Sequence, residues 1–136
     1  MSGNIDIIGS LAKYIQAEMP DDLTMGGNFF RTEHPEDVED STVIYDTIIE
    51  QSDGEVHRLE FVFETRDQSP QKARGLVVRS TSKFLEMSHS DMVRDFYVVR
   101  MILDEGPMTS ETYIVKGKKI FSSAASFICF YEDKDT

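Results

Sequence analysis

The alternation of apolar and polar residues is most regular between Val43 and Phe84, where two strand-like segments precede a helical one. One side of the first segment carries Val43, Tyr45, Thr47 and Ile49. One side of the second segment carries Leu59, Phe61 and Phe63. The Asp53-Gly54 pair between them favours a tight turn, because glycine readily adopts a positive φ. These patterns predict a β-hairpin in which the two apolar sides form one buried face.

Two further segments carry apolar residues at helical spacing. The first stripe ends before Pro20 and consists of Ile8, Leu11, Ala12, Ile15 and Met19. The second helix is predicted to begin at Ser69-Pro70, a favourable N-cap and first helical position. Its buried stripe consists of Ala73, Leu76, Val77, Ser80, Phe84 and Met87. Gly75 lowers the intrinsic stability of this helix by about 1 kcal/mol relative to alanine, which predicts close packing on the sheet there.

Two adjacent phenylalanines lie in a short predicted strand after the first helix, within 23–32. Neighbouring residues of a strand point to opposite faces, so only one of Phe29 and Phe30 can lie in the core. The other must find a second apolar surface or stay exposed. Gly26-Gly27, in the same segment, indicates a bulge or a close backbone approach.

The C-terminal part of the chain predicts the remaining strands. Segment 95–103 is largely apolar on both sides, which is typical of a central strand. Glu105-Gly106-Pro107 is expected to break it, and 112–115 is predicted as a separate short strand. The last strand is predicted over 120–131, with an interruption at the small residues 122–126 where another element is expected to pack closely.

The predicted order is therefore helix, three strands, helix and three strands, without a repeat and without strict βαβ alternation. This order predicts an α+β fold with two α-helices packed on one mainly antiparallel β-sheet. The length of 136 residues favours a single domain, 1–136. Its less regular parts are expected to be an acidic loop at 33–40, a hairpin tip at 51–56 and a flexible tail at 132–136.

The formal net charge is −11, from 14 Lys and Arg against 25 Asp and Glu. Proteins that grip nucleic acid through its phosphates need clustered cations, and no basic patch is visible in the sequence. The charge therefore argues against nucleic-acid binding. No apolar run approaches the roughly 18 residues that a membrane-spanning helix needs, so no membrane association is expected.

The nucleophile and base patterns of known enzymes are missing from the sequence. Cys129 lies in an apolar strand segment and is expected to be buried. The histidines that could serve it as a base, His34, His57 and His89, lie in predicted turns or loops at unrelated spacings. We therefore expect no catalytic residues and no enzymatic activity.

Cofactor and metal motifs are missing in the same way. Gly26-Gly27 lacks both the later glycines of a dinucleotide site and the Gly-Lys-Ser/Thr ending of a P-loop. His34 lies beside Glu33, Glu36 and Asp37, a group that could collect a metal ion. Its spacing matches neither a closed zinc site nor a calcium-binding loop. No cofactor and no metal are expected.

Polar side chains of the hairpin form the best candidate site. Asp46 lies on the strand face opposite Tyr45, and the next strand carries Glu60, Glu64 and Arg66 as a same-face polar row. Such a row is most often a solvated or ion-paired sheet face, and the alternative is a contact between subunits. The candidates for an assembly interface are Phe29, Phe30, Asp46, Glu60, Glu64 and Arg66.

Several segments, read in order, resemble the small phage proteins called tail terminators, also known as minor capsid proteins in phages of Gram-positive bacteria. The matching segments cover most of the chain and are 11–15, 43–47, 63–67, 69–74, 96–99 and 119–122. None of them encodes a chemical mechanism, so the resemblance consists in their order and in the chain length.

The resemblance implies a structural virion protein that forms a ring, usually a hexamer. Such a ring caps the head-proximal end of the tail tube, stops its polymerisation and joins it to the head connector. The implied partners are other copies of the chain, the tail tube protein and the connector or neck protein, with viral DNA passing through the lumen without specific binding. The implied location is the virion, and the host cytoplasm during assembly.

Three other functions remain open at this point. A head-completion or neck protein would differ by binding the portal side. A small acidic immunity or inhibitor protein would cover a basic partner as a monomer, which fits the size and the charge. An enzyme on this scaffold would need an apolar pocket containing acids with perturbed pKa values.

Overall fold

A computed structural model of the protein describes residues 6–34, 40–50, 56–88 and 96–133, with 50, 109–113 and 115 described by their backbone alone. Two helices and five strands lie in these ranges. They are α1 (Ile7–Glu18), β1 (Phe29–Arg31), β2 (Ser41–Glu50), β3 (His57–Asp67), α2 (Pro70–Leu85), β4 (Phe96–Val115) and β5 (Lys118–Asp133). Most of the predicted acidic loop, the hairpin tip and the end of the tail lie outside the described residues.

The five strands form one sheet in the order β1-β2-β3-β5-β4. All neighbouring strands run antiparallel except β1 and β2, which are parallel. The predicted α+β fold, with two helices and a mainly antiparallel sheet, is thus confirmed. Within the described residues, no helix has the length and apolar character needed to cross a membrane.

The C-terminal half differs from the prediction, because 95–103 and 112–115 belong to one long strand, β4, which pairs with β5 throughout. Glu105-Gly106-Pro107 bends this strand and does not end it. The register shifts at four places, and at each of them β4 has one residue more than β5. The extra residues increase bend and twist locally while pairing resumes beyond them.

The small residues of β5 meet the most irregular part of β4. Gly106 has a φ of +89°, and a Cβ atom added there would lie 2.5 Å from the carbonyl oxygen of Ala124. The close approach predicted for 122–126 is therefore present. The interruption predicted for the last strand is wrong, since β5 is continuous and the irregularity lies in its partner.

The core lies between the helices and one face of the sheet. Phe84 of α2 contacts Phe61, Phe63 and Phe127, with ring centroids 5.0–5.6 Å apart. Gly75 of α2 is half-buried, and a Cβ atom added there would find its nearest contact at 3.5 Å, on the side chain of Arg79. The predicted close packing of Gly75 against the sheet is therefore wrong.

The buried side of β2 is also different from the predicted one. Ile44 is paired with the core residue Phe63, whereas Val43 is paired with Glu64 on the other face. Paired residues of antiparallel strands share a face, so Ile44 lies on the helix side of the sheet, while Val43 is also buried, at 1% exposure, on the other face. A register shift between Asp46 and Ile48 then reverses the alternation, so that Ile49 and Val43 lie on opposite faces. Apolar residues occur on both sides of this strand, so its alternation alone could not identify the side that faces the helices.

Candidate assembly surface

The face of the sheet opposite α1 and α2, here called the open face, carries most of the candidate residues. Both helices pack on the side that holds Phe61 and Phe63. The alternate residues of β3 point the other way and are Arg58, Glu60, Val62, Glu64 and Arg66. The open face is therefore the surface on which the predicted polar row lies.

The two adjacent phenylalanines separate as the strand geometry requires. Phe29 is fully buried, and its ring centroid lies 5.9 Å from that of Phe63. Phe30 pairs with Val43 on the open face and is half-buried. Of these two candidates, only Phe30 is positioned to contact a partner.

Asp46 does not join the other acidic candidates. It pairs with Phe61, which places it on the helix side of β2, where it is exposed. Beyond the register shift, Ile48 pairs with Glu60 on the open face and is 43% exposed. The structure therefore brings Glu60, Glu64 and Arg66 together with Phe30, and it places Asp46 apart from them.

Apolar side chains are interspersed with these charges. On the open face Met108 is 46% exposed, and several half-buried residues lie around it and along the neighbouring strands, namely Tyr45, Val62, Ile102, Ile128 and Phe130. A surface that mixes exposed apolar groups with polar ones is typical of a protein interface. The open face is therefore a candidate for an assembly contact.

A chain of partly buried hydrogen bonds crosses three strands of this face. The carboxylate of Glu64 accepts from Ser122 Oγ at 2.7 Å through one oxygen, and its other oxygen lies 2.7 Å from His34 Nε2. His34 Nδ1 lies 2.6 Å from Ser41 Oγ. The network fastens the start of the connection between β1 and β2 to β2, β3 and β5.

The charge of Glu64 is maintained by its neighbours. Burial raises the pKa of this carboxyl, but hydrogen bonds from His34 and Ser122 and the charges of His34 and Arg66 outweigh burial and lower the pKa below its ordinary value. Glu64 is therefore an ionised group held inside a polar network.

Ser41, His34 and Glu64 are connected in the same order as the residues of a hydrolase triad. Such a triad can act only if a substrate reaches its serine. Ser41 is 3% exposed and Ser122 is fully buried. A nucleophilic serine must reach a substrate carbonyl, and both serine residues are almost fully buried in this arrangement. The network is suited to holding the open face in shape.

Two other features considered for chemistry are the thiol of Cys129 and the acidic group beside His34. Cys129 is buried as predicted, and burial raises the pKa of its thiol to about 12, which leaves almost no thiolate at neutral pH. No cluster of three or more metal-ligating side chains occurs among the residues that the structure describes. In the group considered for a metal ion, Glu36 and Asp37 lie outside those residues, and both ring nitrogens of His34 are engaged.

A polar cavity of about 360 Å³ lies where β2 begins and β3 ends, beside the first turns of α2. Its three aspartates are engaged: Asp22 with Arg79 at 3.4 Å, Asp67 with the amide of Ser69 at 2.8 Å, and Asp40 with the amide of Gln68 at 3.3 Å. A paired-carboxylate hydrolase needs an acid in an apolar pocket, which this polar cavity does not provide.

Neither the family models nor the curated proteins compared with this sequence give a match. The main feature that sequence reasoning missed is His34 as the partner of Glu64, because the two residues are 30 positions apart and no local pattern links them.

Proposed function

We propose that this protein is a structural virion protein that caps the tail tube of a long-tailed phage as a ring. The observation that carries the proposal is the open face, a sheet surface that combines exposed apolar side chains with the hydrogen-bonded network of His34, Glu64 and Ser122. The order of segments that resembles tail terminators supports the same function.

Ring formation places a requirement on the surfaces of the subunit. A closed ring repeats one heterologous contact by rotation, so each subunit must present two different and complementary surfaces. The open face supplies a broad surface for one side of this contact. The ring, usually a hexamer in the resembled family, would stop tube polymerisation and join the tube to the head connector.

The charge of the chain suits a ring that surrounds the path of DNA. With a net charge of −11 per subunit, a lumen of the same sign repels phosphates and keeps DNA from adhering during passage. The protein would act at the head-proximal end of the tail, without catalysis, after assembling in the host cytoplasm.

The direct test is native mass spectrometry together with negative-stain imaging of the purified chain. A hexamer of the 15.5 kDa chain has a mass of about 93 kDa and is expected as a ring with a central hole. A fixed dimer at every salt concentration contradicts the proposal. A monomer that binds one basic partner tightly would instead support the inhibitor function.

A pair of matched variants tests whether the open face makes the contact. Ile48 on the open face and Val78 on α2 are exposed to nearly the same extent, 43% and 42%. Ile48→Lys places a charge in the proposed contact and is expected to lower the fraction of rings strongly, whereas Val78→Lys is expected to leave it unchanged. Equal effects of the two variants would show that the open face does not form the contact between subunits.

Pull-down against the tail tube protein and the connector protein separates the terminator from a head-completion protein. A terminator is expected to retain the tube end. Capture of the portal side alone would assign the protein to the neck.

A further inference from the structure

The turn between β4 and β5 carries an unusual concentration of positive charge. Three of the seven lysines of the chain lie between positions 116 and 119. Lys116 and Gly117 both have a positive φ, as in the tight turn of a two-residue hairpin. The surrounding chain has a net charge of −11, so this turn is a local reversal of sign.

An exposed apolar side chain lies beside these lysines. Ile114 is 72% exposed, the highest value among the large apolar residues that the structure describes. It pairs with Lys119 across the hairpin, and Lys119 Nζ lies 5.6 Å from the ring centroid of Phe121. Within the described residues, neither Lys116 nor Lys119 forms an ion pair. We call Ile114, Lys116, Lys118 and Lys119 the basic tip.

A surface of opposite charge lies further back on the same strand. Asp104 is the extra residue of one register shift, and Glu105 follows it before the next shift. Both are exposed, and within the described residues neither has a cationic partner. Glu105 and the exposed Met108 pair with β5 residues that lie on the open face. We call Asp104, Glu105 and Met108 the β4 patch.

The basic tip and the β4 patch are complementary, since they carry charges of opposite sign and each has one exposed apolar side chain. They cannot meet within one subunit. Ile114 lies six residues beyond Met108 in the same strand, a separation of roughly 20 Å at about 3.3 Å per residue. A second copy of the chain is the partner that can bring them together.

We propose that the basic tip of one subunit docks on the β4 patch of the next. The contact is heterologous, as a closed ring requires, and it rests on the proposed ring function while naming the residues that would form it. The register shifts in β4 disturb the regular edge of the sheet, so the contact is made by side chains and not by adding a strand.

Nucleic acid is the competing partner for a basic turn. Three lysines within an acidic subunit are fewer than the phosphate contacts that strong non-specific DNA binding requires, and the remaining charge repels DNA. Charge complementarity to the β4 patch therefore favours a second copy, and DNA binding becomes an outcome of the test.

The experiment exchanges the charges of the two surfaces. The measured quantity is the protein concentration at which half of the chains are in rings, determined by native mass spectrometry at one fixed salt concentration. Lys116→Glu with Lys119→Glu, and separately Asp104→Lys with Glu105→Lys, are expected to raise that concentration about tenfold or more. The four changes together return the net charge to −11 and are expected to restore assembly. Unfolding temperatures establish that each variant is folded.

The matched control changes two exposed lysines elsewhere, Lys13 on α1 and Lys72 on α2. Lys13→Glu with Lys72→Glu alters the net charge equally and is expected to have a much smaller effect. Combined with Asp104→Lys and Glu105→Lys, it also returns the net charge to −11 but is expected not to restore rings. If this control combination restored rings, net charge alone would explain the loss of assembly, and the inference would be overturned.

The outcomes separate the two proposals. Wild-type rings that the tip variant leaves intact overturn the inference and leave the ring function standing. A wild-type chain that forms no ring at any salt concentration overturns both. Binding of wild-type protein to a short DNA duplex, lost in the tip variant while rings persist, overturns the inference and assigns the tip to phosphate.

Discussion

At the scale of single residues, Glu64 links the stability of the open face to pH. Its pKa is lowered in the folded protein, so its ionised form contributes stability above the pKa of the unfolded chain, near the ordinary value of 4.5. That contribution is lost as the pH falls through the lower, folded-state pKa. The network of His34, Glu64 and Ser122 should therefore weaken in acid.

Glu64→Gln tests this linkage. The variant keeps the size of the side chain but loses the charge-assisted hydrogen bonds, so its free energy of unfolding at pH 7 is expected to be lower by about 1–3 kcal/mol. Urea denaturation should show this difference shrinking below pH 4. Glu33→Gln, next to His34 but exposed, is the control and should change little. A difference that persists in acid contradicts the role of the charge.

At the scale of elements, two glycines have opposite structural meanings. Gly106 in β4 combines a positive φ with a close approach to the backbone of β5, so a side chain there meets both strain and collision. Gly75 in α2 has room for a methyl group and costs the helix intrinsic stability. The bend of β4 depends on the first glycine, and α2 does not depend on the second.

Alanine at each position makes this contrast measurable by the free energy of unfolding. Gly106→Ala is expected to destabilise the protein by about 1–3 kcal/mol, because the added Cβ would have to displace the Ala124 carbonyl. Gly75→Ala is expected to stabilise it by about 0.5–1 kcal/mol. Destabilisation by Gly75→Ala would mean that α2 packs more tightly than its contacts indicate.

At the scale of the whole molecule, charge acts on assembly in two opposite ways. The net charge of the subunits opposes their association at long range, and the proposed ion pairs favour it at short range. Subunits of net charge −11 repel, and salt screens this repulsion beyond a Debye length of about 8 Å at physiological ionic strength. Ion pairs between the basic tip and the β4 patch act at shorter range. Screening should therefore first help association.

The fraction of rings is expected to rise between low and physiological ionic strength, as measured by sedimentation velocity at constant protein concentration. Sucrose at matched density and viscosity controls for solvent effects. A fraction that falls steadily from the lowest salt would mean that ion pairs outweigh the net repulsion. A fraction that never changes would mean that charge has little part in assembly.

The sequence by itself determined both helices, the hairpin of β2 and β3 and the α+β class, because helix and strand periodicities follow from local backbone geometry. It also separated Phe29 from Phe30. Only the tertiary structure decided that Phe29 enters the core, that Ile44 and not Val43 lies on the helix side of the sheet, and that β4 continues through Gly106. Register and strand order come from pairing between distant segments, and they alone bring His34 to Glu64 on the open face.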